Sequence, residues 1–339
     1  MATPGHRRPP TMEDVAARAQ VSRALVSIVF RDLPGASDAT RERVRQAAQD
    51  LGYAPDQRAR LLSRRRTGLL GVQFGIEHPF HGELVEALYT AAEARGHELA
   101  LSAVARTRAE DRAVESLLSY RCEALILLGP RATAARIDAL GARVPVVVVA
   151  RHLRSRQVDV VRTDDVDGAR QATRHLIGLG HRAIAHVDGG GAPGTADRRR
   201  GYQQAMEQAG LADQVRVLRG GLTEQAGAGA GAALLDARLG DGRPTAVFAF
   251  NDRCALGVVQ AADRLGSATP TDLSVVGFDD SRVATLPWVQ LTTVRQDTRQ
   301  LAVDAVDHAV ARLDGSPRAA SSIVAPRLVV RSSTAHRRQ

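Results

Sequence analysis

From Gly68 onward the chain keeps one rhythm: short apolar, β-branched runs separated by stretches of roughly ten to twenty residues with helical patterning. The runs are Leu69–Phe74, Leu99–Ala103, Ala124–Leu128, Val144–Val149, Ala183–Val187, Val215–Leu218, Ala246–Phe250 and Ser274–Phe278. A run that is apolar throughout, instead of alternating with polar residues, suits a strand buried on both faces. Helices between such strands return the chain to the same end, so the strands lie parallel. The pattern therefore predicts an α/β body. Eight runs over this length point to two Rossmann-like sheets, with a break near Val160–Thr163 and a crossing back within Ser281–Thr292. Sheets of this kind take ligands at the carboxyl ends of their strands.

The first 66 residues have a different texture. They hold 13 Arg against seven acids, most of the formal net charge of +9 that the 339 residues carry. A basic head on a nearly neutral body is the electrostatic footprint of a nucleic-acid partner. All 46 basic residues are Arg, which fits codon usage in a GC-rich genome better than any function. Residues 1–10 are polar and Pro-rich and read as a disordered arm. Three helices are expected next: Met12–Ala19 with a Thr11/Asp14 capping box, Arg23–Phe30 capped by Ser22, and Asp38–Leu51 capped by Ser37 and stopped by Gly52. Two short helices joined by a tight turn, with a supporting third, make a helix-turn-helix. A fourth short helical pattern runs over 56–63 and leads into Arg64-Arg65-Arg66.

Cys122 and Cys254 stand far apart in apolar stretches, which suits buried free thiols better than a disulfide or a metal site. No apolar run approaches the length of a membrane span and the N-terminus lacks a signal-peptide core, so a cytoplasmic, nucleoid-associated location with no membrane partner is expected. His175, His181 and His186 lack metal-ligand spacing, and no cofactor is expected.

Several motifs then fall in order. Thr11-Met12-Glu13-Asp14-Val15-Ala16, Val21-Ser22, Val26-Ser27, Ser37-Asp38-Ala39-Thr40-Arg41 and Leu51-Gly52-Tyr53-Ala54-Pro55 lie in the head. His78-Pro79-Phe80, Leu179-Gly180-His181-Arg182, Phe250-Asn251-Asp252, Gly277-Phe278-Asp279-Asp280 and Leu291-Thr292-Thr293-Val294 lie in the body. In this order and spacing the chain resembles the lactose-repressor (LacI/GalR) family. The resemblance implies a non-enzymatic transcriptional repressor with an all-α helix-turn-helix head and a type I periplasmic-binding-protein-like sensor of two Rossmann-like subdomains. It implies a homodimer on palindromic double-stranded operator DNA, regulated by a carbohydrate-like effector. The expected layout is a head over 11–55, a hinge helix and linker over 56–67, and an effector domain over 68–339. Within that domain an N-subdomain takes about 68–161 and 292–321, and a C-subdomain about 162–291 and 322–334.

Carried over position by position, the resemblance implies base contacts from Arg23, Ala24, Ser27 and Ile28. Ser22, at the helix N-terminus, and Arg41 would meet phosphates, and Leu62 would wedge into the minor groove. It implies effector contacts from Phe80, Arg198, Asn251 and Asp279, residue types that suit a polyol: a stacking ring, a forked donor, an amide and a carboxylate. The chain departs from the family pattern at Gln20, Leu25, Ile28 and Phe30. It departs again at Ala150-Arg151, where a ligand-touching acid gives way to an added cation that admits an acidic or phosphorylated ligand. One competing reading stays on the page. Gly189-Gly190-Gly191-Ala192-Pro193-Gly194 satisfies the dinucleotide fingerprint after a strand and before a helix, so an NAD(P)-dependent oxidoreductase is the alternative.

Overall fold

Thr11 and Asp14 close the first turn of the head on each other. The Thr11 backbone N–H donates to Asp14 Oδ2 at 2.7 Å while Asp14 N–H reaches Thr11 Oγ1 at 3.4 Å. Such a box satisfies two of the amides that a helix start leaves without partners. It opens α1 (Met12–Ala19), which is followed by α2 (Arg23–Phe30) and α3 (Asp38–Leu51), with Ser22 and Ser37 as their N-caps. In α1 the apolar positions Val15, Ala16 and Ala19 fall on one stripe. They meet Val26 and Val29 of α2 and Val44, Ala47 and Ala48 of α3 in one small core. Phe30 and Tyr53 cap that core, their ring centroids 5.7 Å apart. The turn from α1 to α2 bends at Gln20, whose φ of 54° is left-handed, a conformation that costs a residue with a Cβ about 1–2 kcal/mol.

The computed structural model describes Arg8 and residues 10–53, 66–236, 242–315 and 321–337. These fall into two units, Met1–Thr67 and Gly68–Gln339. Most of the expected N-terminal arm, the expected hinge helix 56–63 and Leu62 lie outside the described residues.

The body holds two six-stranded sheets. In chain order its elements are β1 (Leu69–Gly75), α4 (Pro79–Ala94), β2 (Glu98–Val104), α5 (Glu110–Ser119), β3 (Ala124–Leu128), α6 (Ala134–Gly141), β4 (Val146–Val149) and β5 (Asp159–Thr163). There follow α7 (Asp165–Gly178), β6 (Ile184–Asp188), α8 (Thr195–Gln208), β7 (Arg216–Arg219), α9 (Glu224–Leu234), β8 (Ala246–Ala249), α10 (Asp252–Arg264), β9 (Ser274–Asp279) and β10 (Thr292–Arg295). Last come α11 (Thr298–Leu313), β11 (Ser322–Val324) and β12 (Arg327–Val329). The first sheet is ordered β11-β5-β4-β3-β1-β2 and is parallel throughout. The second, β12-β10-β9-β8-β6-β7, departs from that only at its edge, where β12 runs antiparallel to β10. Every residue of β3, β4 and β8 is buried, as continuous apolar runs require.

Two expectations are corrected. Val160–Thr163 is no break: it belongs to β5, which pairs with β4 inside the first sheet, and the chain leaves that sheet one residue later, at Asp164. The expected subdomain limits also misplace two strands. Thr292–Arg295 pairs with β9 in the second sheet and Ser322–Val324 with β5 in the first, so the later crossings lie at Gln296-Asp297 and Ala325-Pro326. Backbone pairing decides both, and strands of three or four residues give little sequence pattern to place them by.

The helices of the second half pack unusually close. A Cβ at Gly227 of α9 would overlap the Cys254 carbonyl oxygen, and one at Gly257 of α10 would overlap that of Glu224. Gly227 and Gly257 let the two backbones touch. Among the described residues no helix is long and apolar enough to cross a membrane.

Candidate functional site

In the head, α2 carries the residues expected to face base edges. Ser22, Arg23 and Ala24 are exposed at its start, and Ser27 and Ile28 are half-buried one turn on. Ser22 spends its side chain on the cap, accepting from Leu25 N–H at 3.2 Å. Among the described residues Arg23 is held by an exposed pair with Glu13 at 3.0 Å, a contact worth little in water and easily exchanged for a base or a phosphate. Arg41 is different. Its side chain is 15% exposed, and it donates to Asp32 Oδ1 at 2.8 Å and to the Leu33 carbonyl at 2.5 Å, tying α3 to the loop that leaves α2. The structure thus gives Arg41 a clamping task inside the head.

In the body, both sheets reverse strand order beside their first strand, β1 against β3 in one and β6 against β8 in the other. Loops at such a switch point diverge and leave a crevice. A cleft of about 500 Å³ opens there, lined from the first sheet by Gly75, Glu77, His78 and Phe80 and by Ala105, Arg106, Gly129, Arg131 and Ala150. The second sheet contributes Gly189–Pro193, Arg198, Gly220–Thr223, Phe250, Asn251, Asp279 and Gln296. All four effector residues expected from sequence, Phe80, Arg198, Asn251 and Asp279, meet in this one cleft.

Arg198 is its most constrained side chain. It is 6% exposed on α8, with Nε donating to Asp165 Oδ1 at 2.8 Å and Nη1 to the Phe250 carbonyl at 2.5 Å. Its guanidinium carbon lies 3.6 Å from the Phe278 ring centroid and 4.5 Å from that of Phe250, so the cation lies against two aromatic rings. Nη2 stands 3.9 Å from Asp279 Oδ1, which itself accepts from Gln296 Nε2 at 2.8 Å. Burial pushes the Asp279 carboxyl upward from the ordinary range, against the opposing pull of Arg198 and Gln296. Asp165 is also raised, again chiefly by burial.

The chain is strained where it presents Asp279: φ is 115° there and 55° at Asp280, both left-handed. Each such residue costs on the order of 1–3 kcal/mol and persists only where the surroundings impose it. Here they do. Asp280 is held by Arg295 and Arg331, each at 2.6 Å, and the next residue, Ser281, is held through its amide and hydroxyl by the buried Asp252. Burial and the nearby Asp279 push the Asp252 carboxyl up as well.

Asn251 lines the cleft, but its amide is largely committed. Oδ1 caps α10 through Cys254 N–H at 2.8 Å, and Nδ2 donates to the Leu222 carbonyl at 3.2 Å. Phe80, 6% exposed one residue into α4, divides its ring between the core of the first half and the cleft wall. One expectation fails. Arg151 adds no cation to the wall, because its guanidinium turns away to the carbonyls of Pro130 at 2.7 Å and Ala132 at 2.6 Å, leaving Ala150 alone to line the cleft.

Several further polar residues line the cleft, Gln296, Gln73, His81 and Arg131 among them. Gln296 lies two residues beyond the Leu291–Val294 motif. Gln73 is the one polar residue inside the β1 run, and that interruption was its signal. His81 accepts from Gly75 N–H at 3.0 Å through Nδ1, and burial, with His78 beside it, pushes its pKa down to about 3, which makes it a neutral imidazole with Nε2–H as donor. Arg131 carried no signal. The Gly189–Gly194 loop does line the cleft, yet Gly190 N–H is spent on Asp188 Oδ1, Ala192 N–H on the Gly189 carbonyl, and Pro193 has none. Few of its amides are left to cradle a pyrophosphate.

A helix-turn-helix head followed by a two-sheet body with a polar cleft is the layout of a ligand-responsive transcription regulator. Residues 11–56 match the lacI family of bacterial regulatory proteins, and residues 173–334 match the periplasmic binding protein-like domain. The chain is 32% identical to the HTH-type transcriptional regulator DegA of Bacillus subtilis (strain 168) over 96% of its own length and 98% of that protein's. The lac repressor dimer bound to operator and the anti-inducer ONPF superposes with a TM-score of 0.82, at 28% identity over 97% of this chain and 100% of that one. The CelR–cellobiose complex gives a TM-score of 0.70 at 31% identity, over 96% of this chain and 99% of that one. The chain belongs to the lacI family, and it is a helix-turn-helix transcriptional regulator.

Proposed function

We propose that the chain is a repressor that binds a two-fold symmetric operator as a homodimer and answers to a carbohydrate-like small molecule held in the body cleft. The observation that carries this reading is the convergence of Phe80, Arg198, Asn251 and Asp279 at the two strand-switch points of one cleft. The similar lac repressor is a dimer on operator DNA with an anti-inducer, and the similar CelR binds cellobiose. In this reading Arg23, Ala24, Ser27 and Ile28 meet base edges. Arg23 forks onto a guanine, Ile28 favours a thymine methyl, and Ser22 stands at a helix start suited to a phosphate. Arg41 supports the head's fold and Leu62 serves as the minor-groove wedge. The second half offers the polyol an acceptor at Asp279 and donors at Arg198, which retains N–H groups beyond those given to Asp165 and Phe250.

Selection from random duplexes tests the first half of the proposal: a palindrome should emerge, with log affinity falling steeply against log salt. Asp279→Ala tests the second half. It should keep operator affinity while losing the response to the sugar that shifts the wild type; an unchanged response at the same concentration places the ligand elsewhere.

A further inference from the structure

The first-half wall of the cleft holds two arginines, Arg106 and Arg131, alongside two glutamates, Glu77 and Glu110. In β1, Gln73 sits in register with Ser102 of β2 on one side and Leu127 of β3 on the other. Four residues beyond each of those partners, at the carboxyl end of its strand, stands an arginine on the cleft: Arg106 after β2 and Arg131 after β3. Both loops are held rigid by groups other than these two side chains. Ala105 and Arg108 exchange backbone hydrogen bonds, and the Arg108 guanidinium reaches back to Ser102 Oγ, the Ala103 carbonyl and Ser116 Oγ, so Arg106 projects from a tied turn. Glu110 accepts from the amides of Arg131 and Ala132 at 2.9 and 3.5 Å while Arg151 binds the carbonyls of Pro130 and Ala132. Among the described residues, neither Arg106 nor Arg131 has a carboxylate within ion-pair distance, nor does Arg219 on the opposite wall, whereas Arg198 and Arg253 of the same cleft are paired with Asp165 and Glu224. Between the two loops Gln73 is 3% exposed, and its Oε1 has no hydrogen-bond partner among the described residues. A buried polar atom left so is destabilising, and a ligand hydroxyl would supply its missing partner.

Resting on the reading of the cleft as the effector site, we propose that the effector is an anionic sugar derivative, its carboxylate or phosphate seated between Arg106 and Arg131 and a neighbouring hydroxyl on Gln73. The two guanidiniums supply forked donors that match either oxyanion. His81 adds a fixed Nε2–H donor on the same wall. In this arrangement the anionic group lies toward the first half and the hydroxyls toward Arg198 and Asp279 of the second.

Calorimetric titration of the full chain with gluconate, glucose 6-phosphate, inorganic phosphate and glucose tests this. At low salt one of the sugar anions should bind at least about tenfold tighter than glucose, the equivalent of one well-placed charged hydrogen bond, and the preference should shrink at high salt. Which of the two binds better tells carboxylate from phosphate. Arg106→Gln with Arg131→Gln should abolish the preference for the sugar anion over glucose, and circular dichroism of the double variant checks that the body is folded. Glucose binding as tightly as both anions, or none of the three anions binding, overturns the charge assignment. Anion binding that survives the double variant overturns it too. Binding that is abolished by Arg198→Ala yet indifferent to charge leaves the cleft standing as the effector site; binding indifferent to Arg198→Ala as well removes both readings.

Discussion

Replacing Arg198 by Met isolates the electrostatics of the cleft, because it keeps most of the apolar stem and deletes the cation. In the wild type the guanidinium touches Asp165 at 2.8 Å, faces Asp279 at 3.9 Å and lies against two aromatic rings. Without it two buried carboxylates lose their counter-ion, and breaking a buried pair from one side costs about 3–5 kcal/mol. At about 2–4 °C per kcal/mol for a domain of this size, Tm should fall by roughly 6–20 °C near neutral pH. The pH dependence separates this from simple loss of packing. Burial already raises Asp165 and Asp279 above their unfolded values, so between the unfolded and folded pKa the native state binds more protons and stability falls as pH rises. Removing Arg198 raises both further and widens that window. The Tm deficit of the variant should therefore be largest at pH well above the folded values and shrink as acid protonates the orphaned carboxylates. Thermal melts of wild type and variant followed by circular dichroism, from acid to mildly alkaline pH, read this out. A deficit constant across that range would refute the argument, since lost van der Waals contact carries no protons.

Four smaller predictions accompany it. Arg23→Ala should weaken the preferred operator by about 1–3 kcal/mol and relax one base pair per half-site in a competition assay; uniform weakening on all sequences would make Arg23 a phosphate contact. Arg41→Ala should unfold the head at lower temperature by freeing the loop at Asp32 and Leu33, and so weaken every DNA sequence alike. Gly257→Val should prevent α9 and α10 from packing and leave the body insoluble or molten, while Gly229→Ala, where an added Cβ meets open space, should be tolerated. Cys122 and Cys254, whose burial pushes the thiols up to about 11 and about 12, should react with a thiol reagent only after denaturant is added.

The head could be read from sequence because its signals are local. Thr11 with Asp14, Ser22, Ser37 and Gly52 terminate helices by bonds that span three or four residues, and all of them do so in the structure. The long apolar strands declared themselves for a similar reason: burial on both faces leaves no polar interruption. What escaped depends on pairing between distant segments. β5 was mistaken for a break because its Arg162 interrupts the run, and β10, β11 and β12 are too short to carry a period. In the cleft, Arg198 and Asp279 stood out through the family motifs. Asn251 was assigned to the ligand, although its position before α10 already offered the capping role that the structure gives it. The direction of Arg151 was beyond sequence reasoning, since it is set by two carbonyls of a loop twenty residues away.

The three crossings between the sheets also set an order on biosynthesis. A ribosome releases the head's three helices first, and everything their core requires lies before residue 54, so the head can fold while the rest is being made. Neither sheet of the body has that freedom. The first waits for Leu301, Ala302, Ala305 and Val306 of α11 to cover its face and for β11 to close its edge, and the second waits for β12. Through most of translation the nascent body therefore exposes apolar faces that only its last segments can shield, and both halves reach completion within a few residues of each other. Mutations after Pro326 should thus register as losses of yield, through chaperone load and proteolysis, well before they register as losses of ligand or DNA affinity.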